Sequence, residues 1–122
     1  MKPLLALTAL GEAATGLALL VYPPIVVRLL FGADIAGAGV VMSRVAGAAL
    51  LAIGVSCWLA RNDPGRPTQV GLLTGVLIYD IAAAALLAYA GLFLNMAGIA
   101  LWPAIVLHAA LAFWCVVCLW PR

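Results

Sequence analysis

LLALTALGEAATGLALLV, residues Leu4–Val21, carries a single charged side chain, Glu12. Wound as a helix at about 1.5 Å per residue, the stretch is about 27 Å long, close to the ~30 Å hydrocarbon core of a bilayer. Pro23 and Pro24 stop it, because proline cannot continue the hydrogen-bond ladder. Three more stretches read the same way: about 38–60, about 69–89 and about 98–120. All are rich in Ala and Leu, which favour helices, and none alternates as a barrel strand would. Inside lipid, only helices and closed barrels satisfy their own backbone. The expected fold is therefore all-α. It is a four-helix transmembrane bundle occupying residues 1–122 as one integral membrane domain, with up-down-up-down topology because the connections are short.

Composition agrees. Of 122 residues, 68% are hydrophobic and 8% charged, against about 45–50% and about 25% in soluble domains. A water-soluble fold of this size has no interior large enough for so much apolar surface. The net charge of +2 is not gathered into a basic patch or stripe, so no nucleic-acid partner is expected. The opening Met1-Lys2-Pro3 with its apolar run resembles a secretion signal at first sight. The run is too long for a signal core, contains Glu12, and ends in Tyr22-Pro23-Pro24 rather than a small-residue cleavage site, so it reads as a retained first span.

Ile25-Val26-Val27-Arg28-Leu29-Leu30-Phe31-Gly32 is too short to span and has one arginine among apolar residues. It reads as a short interfacial helix between spans one and two, with Arg28 reaching toward headgroups. Lys2, Arg61, Arg66 and Arg122 fall on one side of the membrane and Arg28 alone on the other. The positive-inside rule then places both termini in the cytoplasm, with a bacterial inner membrane as the simplest home. Tyr22, Trp58, Tyr89 and Trp120 lie near span ends, where aromatic belts form. Asn62-Asp63-Pro64-Gly65 reads as a turn.

Small residues indicate how helices approach. Gly71 and Gly75 form a Gly-x-x-x-Gly pair, which predicts a packing face. Gly47 and Gly54 lie a heptad apart, and Ala82–Ala85 is a run of small residues. Placing Glu12 against Asp80 brings Tyr22 next to Tyr89, one residue out of register, a weak repeat equating span one with span three.

Each span holds one ionisable residue: Glu12, Arg44, Asp80 and His108. From the helical rise, Glu12 lies about 12 Å from the cytoplasmic edge, Asp80 and His108 about 16 Å, and Arg44 about 21 Å. Intramembrane ionisable groups are costly and usually face the bundle interior. Thr8, Glu12 and Thr15 share one side of span one, and His108 shares a side with Cys115. Arg44, sharing a side with Gly47, is expected within ion-pair reach of Glu12 or Asp80, since a lone arginine at mid-depth costs at least about 2.5–3.5 kcal/mol. Tyr79 flanks Asp80 but points elsewhere. The cluster of Glu12, Arg44, Asp80, His108, Thr8 and Thr15 has two readings: charge neutralisation, or a polar site for a ligand or proton. A single histidine without a second at metal-ligand spacing points to no metal, and no cofactor is implied. Cys57 and the pair Cys115 and Cys118 read as apolar packing near the cytoplasmic edge, where thiols stay reduced.

Tyr22-Pro23-Pro24, then Leu30-Phe31-Gly32, then Ser43-Arg44-Val45-Ala46-Gly47 and Gly54 together resemble the small four-helix bacterial membrane proteins grouped as DoxX-like. The resemblance covers nearly the whole chain and implies the same architecture, with no catalytic residues to carry over. The leading functional expectation is a non-enzymatic bundle binding a small amphipathic or lipidic molecule, or an ion, at the midplane. A structural subunit of a larger membrane complex or homo-oligomer is the second. A thiol–quinone oxidoreductase is the third, and the Cys115–Cys118 pair sits at the wrong end of its helix for that chemistry.

Overall fold

A computed structural model of the chain describes residues 1–121, and it is all-α. Five helices follow in order: α1 (Lys2–Val21), α2 (Pro23–Phe31), α3 (Ala38–Ala60), α4 (Arg66–Phe93) and α5 (Leu101–Leu119). Four of them, α1, α3, α4 and α5, are long and apolar enough to cross a membrane. The exterior demands it. Leu10, Val21, Leu59, Leu86, Ile99 and Phe113 are all more than 60% exposed, a surface that water would not tolerate and lipid does. The chain is a multi-pass membrane protein.

Several boundaries differ from the sequence reading, and α2 starts at Pro23 rather than Ile25. α4 runs for 28 residues, from Arg66 rather than about residue 69 and on to Phe93 rather than about residue 89. Pro67 explains the early start, because a proline in the first helical turn forfeits no internal hydrogen bond. The Gly91–Asn95 link is mostly helix in consequence, and only Leu94 onward leaves it. α5 begins at Leu101, after Gly98 and Ala100 have turned to meet α2.

The helices associate as two pairs. α1 packs along α3, and α4 along α5, while α3 and α4 touch little. Glycines set the first pair. A Cβ on Gly16 would lie 2.6 Å from Gly47 O, one on Gly47 would lie 2.7 Å from Gly16 O, and one on Gly54 would lie 2.8 Å from Ala13 N. Backbone meets backbone there, with no room for a side chain. By contrast, Gly71 and Gly75 face open space and join no helix within the chain. The Gly-x-x-x-Gly pair is thus not the internal packing face that its spacing suggested.

The pairs meet in a core at one end of the bundle. Leu4, Leu5 and Ala9 of α1, Cys57 of α3, Leu73 and Val76 of α4, and Leu111 and Cys115 of α5 are buried together. The turn at this end is tied by Gln69, whose Nε2 donates to Ala60 O at 3.0 Å and to Asp63 O at 2.9 Å. Asp63 Oδ1 accepts Gly65 N–H at 2.7 Å, an Asx turn. Arg61 lies over the Trp58 ring, 3.4 Å from its centroid, and donates to Trp58 O.

At the other end lies α2. A helix leaves its last carbonyls unpartnered, and in an apolar setting these need donors. Gly98 N–H donates to Leu30 O at 2.9 Å and Ala100 N–H to Leu29 O at 2.8 Å. Gly32, with φ at 63°, ends α2 in the left-handed conformation that glycine adopts freely. Arg28 is exposed and paired with Asp34, Nη2 to Oδ1 at 2.5 Å. That carboxylate holds the guanidinium pKa above its ordinary value.

Candidate functional site

The midplane cluster forms, with a different membership. α1 brings Glu12, α4 brings Asp80 and α5 brings His108, and the ligand atoms of the three lie within 4.8 Å of one another. His108 Nδ1 and Asp80 Oδ1 are 2.9 Å apart and share a hydrogen bond. Asp80 is wholly buried and Glu12 is 6% exposed. Tyr79 packs edge-on to His108, ring centroids 5.5 Å apart and planes at 85°. Its position beside Asp80 concealed this role, because the contact is made to another helix.

Arg44 does not join. It is exposed on α3, and among the described residues it makes no ion pair: the pairs present are Arg28–Asp34 and His108–Asp80. The expected bridge from Arg44 to Glu12 or Asp80 is replaced by one from His108 to Asp80. Two facts account for this. Gly47 is the residue α1 covers, and Arg44, three positions earlier, is rotated about 60° from it at 3.6 residues per turn. Arg44 is also only six residues, about 9 Å, from the start of α3, a depth from which a long cationic side chain can snorkel.

Thr8 lies one turn before Glu12 on the same face. It is 1% exposed, and its Oγ1 has no hydrogen-bond partner, nor has Asp80 Oδ2. Thr15 is exposed on its helix and lines the open space above Glu12. That space is a cleft of about 760 Å³ with residues of all five helices in its walls. Small side chains such as Gly11, Ala14, Ala83 and Ala104 leave the volume free, and Val27, Leu30 and Phe31 of α2 line it as well. Glu12, Tyr79 and His108 reach it, whereas Asp80 stands behind them. The cleft begins where the packed core ends, so these polar groups form its floor.

This arrangement can do two things chemically. It can seat an amphipathic molecule, with polar groups at one end of an apolar cavity. It also gathers two carboxylates and an imidazole, donor types that bind metal ions; a search for a second histidine could not have found carboxylates converging from two other helices. The thiols stand apart from both. Cys57 and Cys115 are fully buried in the packed core and Cys118 is half-buried, all three free, and thiol exchange requires access.

No family model, no curated protein and no solved structure matches the chain.

Proposed function

We propose that the protein binds a small amphipathic or lipidic molecule in the cleft between the α1–α3 and α4–α5 pairs. Its apolar part lies along the Ala- and Leu-rich walls and its polar end on Glu12 and His108. The observation that carries this reading is the cleft itself, about 760 Å³ of apolar space over a polar floor. Small-molecule pockets are of this kind, about 300–1,000 Å³ with a few convergent polar groups. Native mass spectrometry of the detergent-purified protein, with chelator present, tests it. Wild type is expected to retain a small amphiphile, the cleft-filling variant Ala83→Leu/Ala104→Leu to lose it, and Ala110→Leu, outside the cleft, to keep it. An empty wild type, or equal retention in the filled variant, would rule the reading out.

A second reading is a structural subunit of a larger assembly. It is favoured by Gly71 and Gly75, which face outward with nothing against them and suit the close approach of a helix from another chain. The same spectra would show the complex.

The charges at Lys2, Arg61, Arg66 and Arg122 against the paired Arg28 favour a cytoplasmic packed end and an outward-facing α2, in a bacterial inner membrane. A reporter fused after the last residue that reads out on the far side would reverse that orientation. We group the chain with the DoxX-like proteins on the motifs at Tyr22-Pro23-Pro24, Leu30-Phe31-Gly32 and Ser43–Gly47, a grouping that supports the architecture and brings no site.

A further inference from the structure

The floor of the cleft has a charge imbalance. Two carboxylates and one imidazole converge there. Even a protonated His108 would offset only one of the two negative charges, and Arg44 is turned away on the surface of α3. In low-dielectric surroundings buried charges must be paired, neutralised or bound to a metal. Two buried polar atoms, one on Asp80 and one on the Glu12 face of α1, also lack partners: Asp80 Oδ2 and Thr8 Oγ1, on residues 0% and 1% exposed. Thr8 lies on the Glu12 face of α1 and lines the same cleft. The hydroxyl lies one helical turn from Glu12 and the carboxylate oxygen belongs to the residue that holds His108, and both carry buried lone pairs that nothing meets.

We propose that Glu12, Asp80 and His108 bind a divalent first-row transition-metal ion, with Thr8 Oγ1 beside it. The donor set selects the class. Imidazole suits zinc, iron and their neighbours, whereas magnesium and calcium prefer all-oxygen surroundings. The thiolates that would favour copper(I) or a structural zinc site lie in the packed core instead. The divalent charge balances the two carboxylates with His108 neutral. Metal–ligand bonds of about 2.0–2.2 Å are shorter than the present spread requires, so the three side chains rotate inward around the ion. Tyr79, edge-on to His108, limits how far the imidazole can swing. Three protein ligands leave at least one coordination position open, as in zinc sites that work on a ligand rather than hold a fold. Because Glu12 and His108 reach the cleft and Asp80 backs them, the open position faces the cleft.

The site does not depend on an amphiphile in the cleft, and its test uses metal alone. Chelator-stripped protein in detergent is titrated with Co²⁺. One ion per chain is expected, with the visible spectrum of nitrogen and oxygen coordination and no thiolate-to-cobalt charge-transfer band. The near-isosteric variants Glu12→Gln and Asp80→Asn, and His108→Ala, should each weaken binding about tenfold or more, since even outer partners of metal ligands are worth that much. Thr8→Val should weaken it by a smaller factor. Co²⁺ should raise the melting temperature of wild type by clearly more than that of Glu12→Gln or Asp80→Asn at the same concentration, which keeps the test decisive should His108→Ala fail to fold. Absence of stoichiometric binding, a thiolate band, or unchanged affinity in Glu12→Gln and Asp80→Asn overturns the proposal. A negative titration leaves the amphiphile reading standing, and an empty cleft with intact cobalt binding leaves this one.

Discussion

The two ends of the bundle are built from the same four spanning helices and pack in opposite ways. Toward the 61–65 turn, Leu4, Leu5, Leu73, Val76 and Leu111 close on one another with Cys57 and Cys115 between them. Toward α2, the corresponding faces present Gly11, Ala14, Ala46, Ala83 and Ala104, and a cleft remains. Backbone separation and side-chain size both contribute. α1 and α3 are drawn together by glycines along their length, as α4 and α5 are by their own contacts. Between the pairs only large side chains reach across. Where alanine and glycine are interspersed among the leucines, the gap stays open, and the boundary falls at Thr8, Glu12, Tyr79, Asp80 and His108. The polar residues therefore sit at the one level where an interior is both shielded and accessible.

Four substitutions would break or sharpen that contrast. The largest effect is expected from Gly47→Leu. Its side chain would be driven into the Gly16 carbonyl, Leu19 and the Leu20 amide, and overpacking costs about 1–3 kcal/mol even where side chains can yield. Backbone cannot, so the α1–α3 pair should separate, read as loss of the folding transition in detergent. A variant that melts like wild type would show that the pair is not held by this contact. An intermediate effect distinguishes the two ends directly. Leu73→Ala removes a wholly buried side chain and should cost about 2–5 kcal/mol, whereas Leu87→Ala on the cleft wall should cost about 1 kcal/mol or less, within the range of lightly packed sites. Equal losses in denaturant titrations would mean that the cleft end is packed as firmly as the other. The smallest effect is expected at Gly71→Leu. Nothing lies within reach of the added side chain, so the stability of the single chain should change by no more than about 0.5 kcal/mol. A large drop would place another helix on that face.

The four spans were legible from length and hydropathy, because the bilayer imposes a minimum on both. A short helix over residues 25–32 was legible as well, from its length and its one arginine among apolar residues; its start at the proline pair was not, because Pro23 and Pro24 read only as the stop of span one. Partner choice was not. Gly71 and Gly75 have the spacing of a contact face, but spacing does not say which way the face turns. Gly16 carries as tight a contact as Gly47, and it gave no signal on its own, because the motif it completes is divided between two helices. For the cluster, the depth of Glu12, Asp80 and His108 was readable from the rise along each helix, whereas their convergence depends also on how each helix is rotated, which depth does not give. Arg44 was misjudged because its depth was reckoned from the wrong end: what matters to a snorkelling side chain is the nearer surface. Sharing a side with Gly47 was also too coarse a criterion when α1 covers the narrow strip that includes Gly47 and leaves the next one open.

The docking of α2 carries a consequence for how the protein is made. Two carbonyls of its last turn, on Leu29 and Leu30, accept their hydrogen bonds from Ala100 and Gly98, some seventy residues later in the chain. Chains emerge from the ribosome N-terminus first, so α1 and α3 can pair while α4 is still being synthesised. α2 meets α1 and α3 as well, but the donors for the carbonyls at its end are not yet made. Its end is secured only after residue 100 has entered the membrane, which leaves this wall of the cleft unset until α5 is arriving. Until then the cavity is a trough, open to whatever molecules the surrounding leaflet supplies.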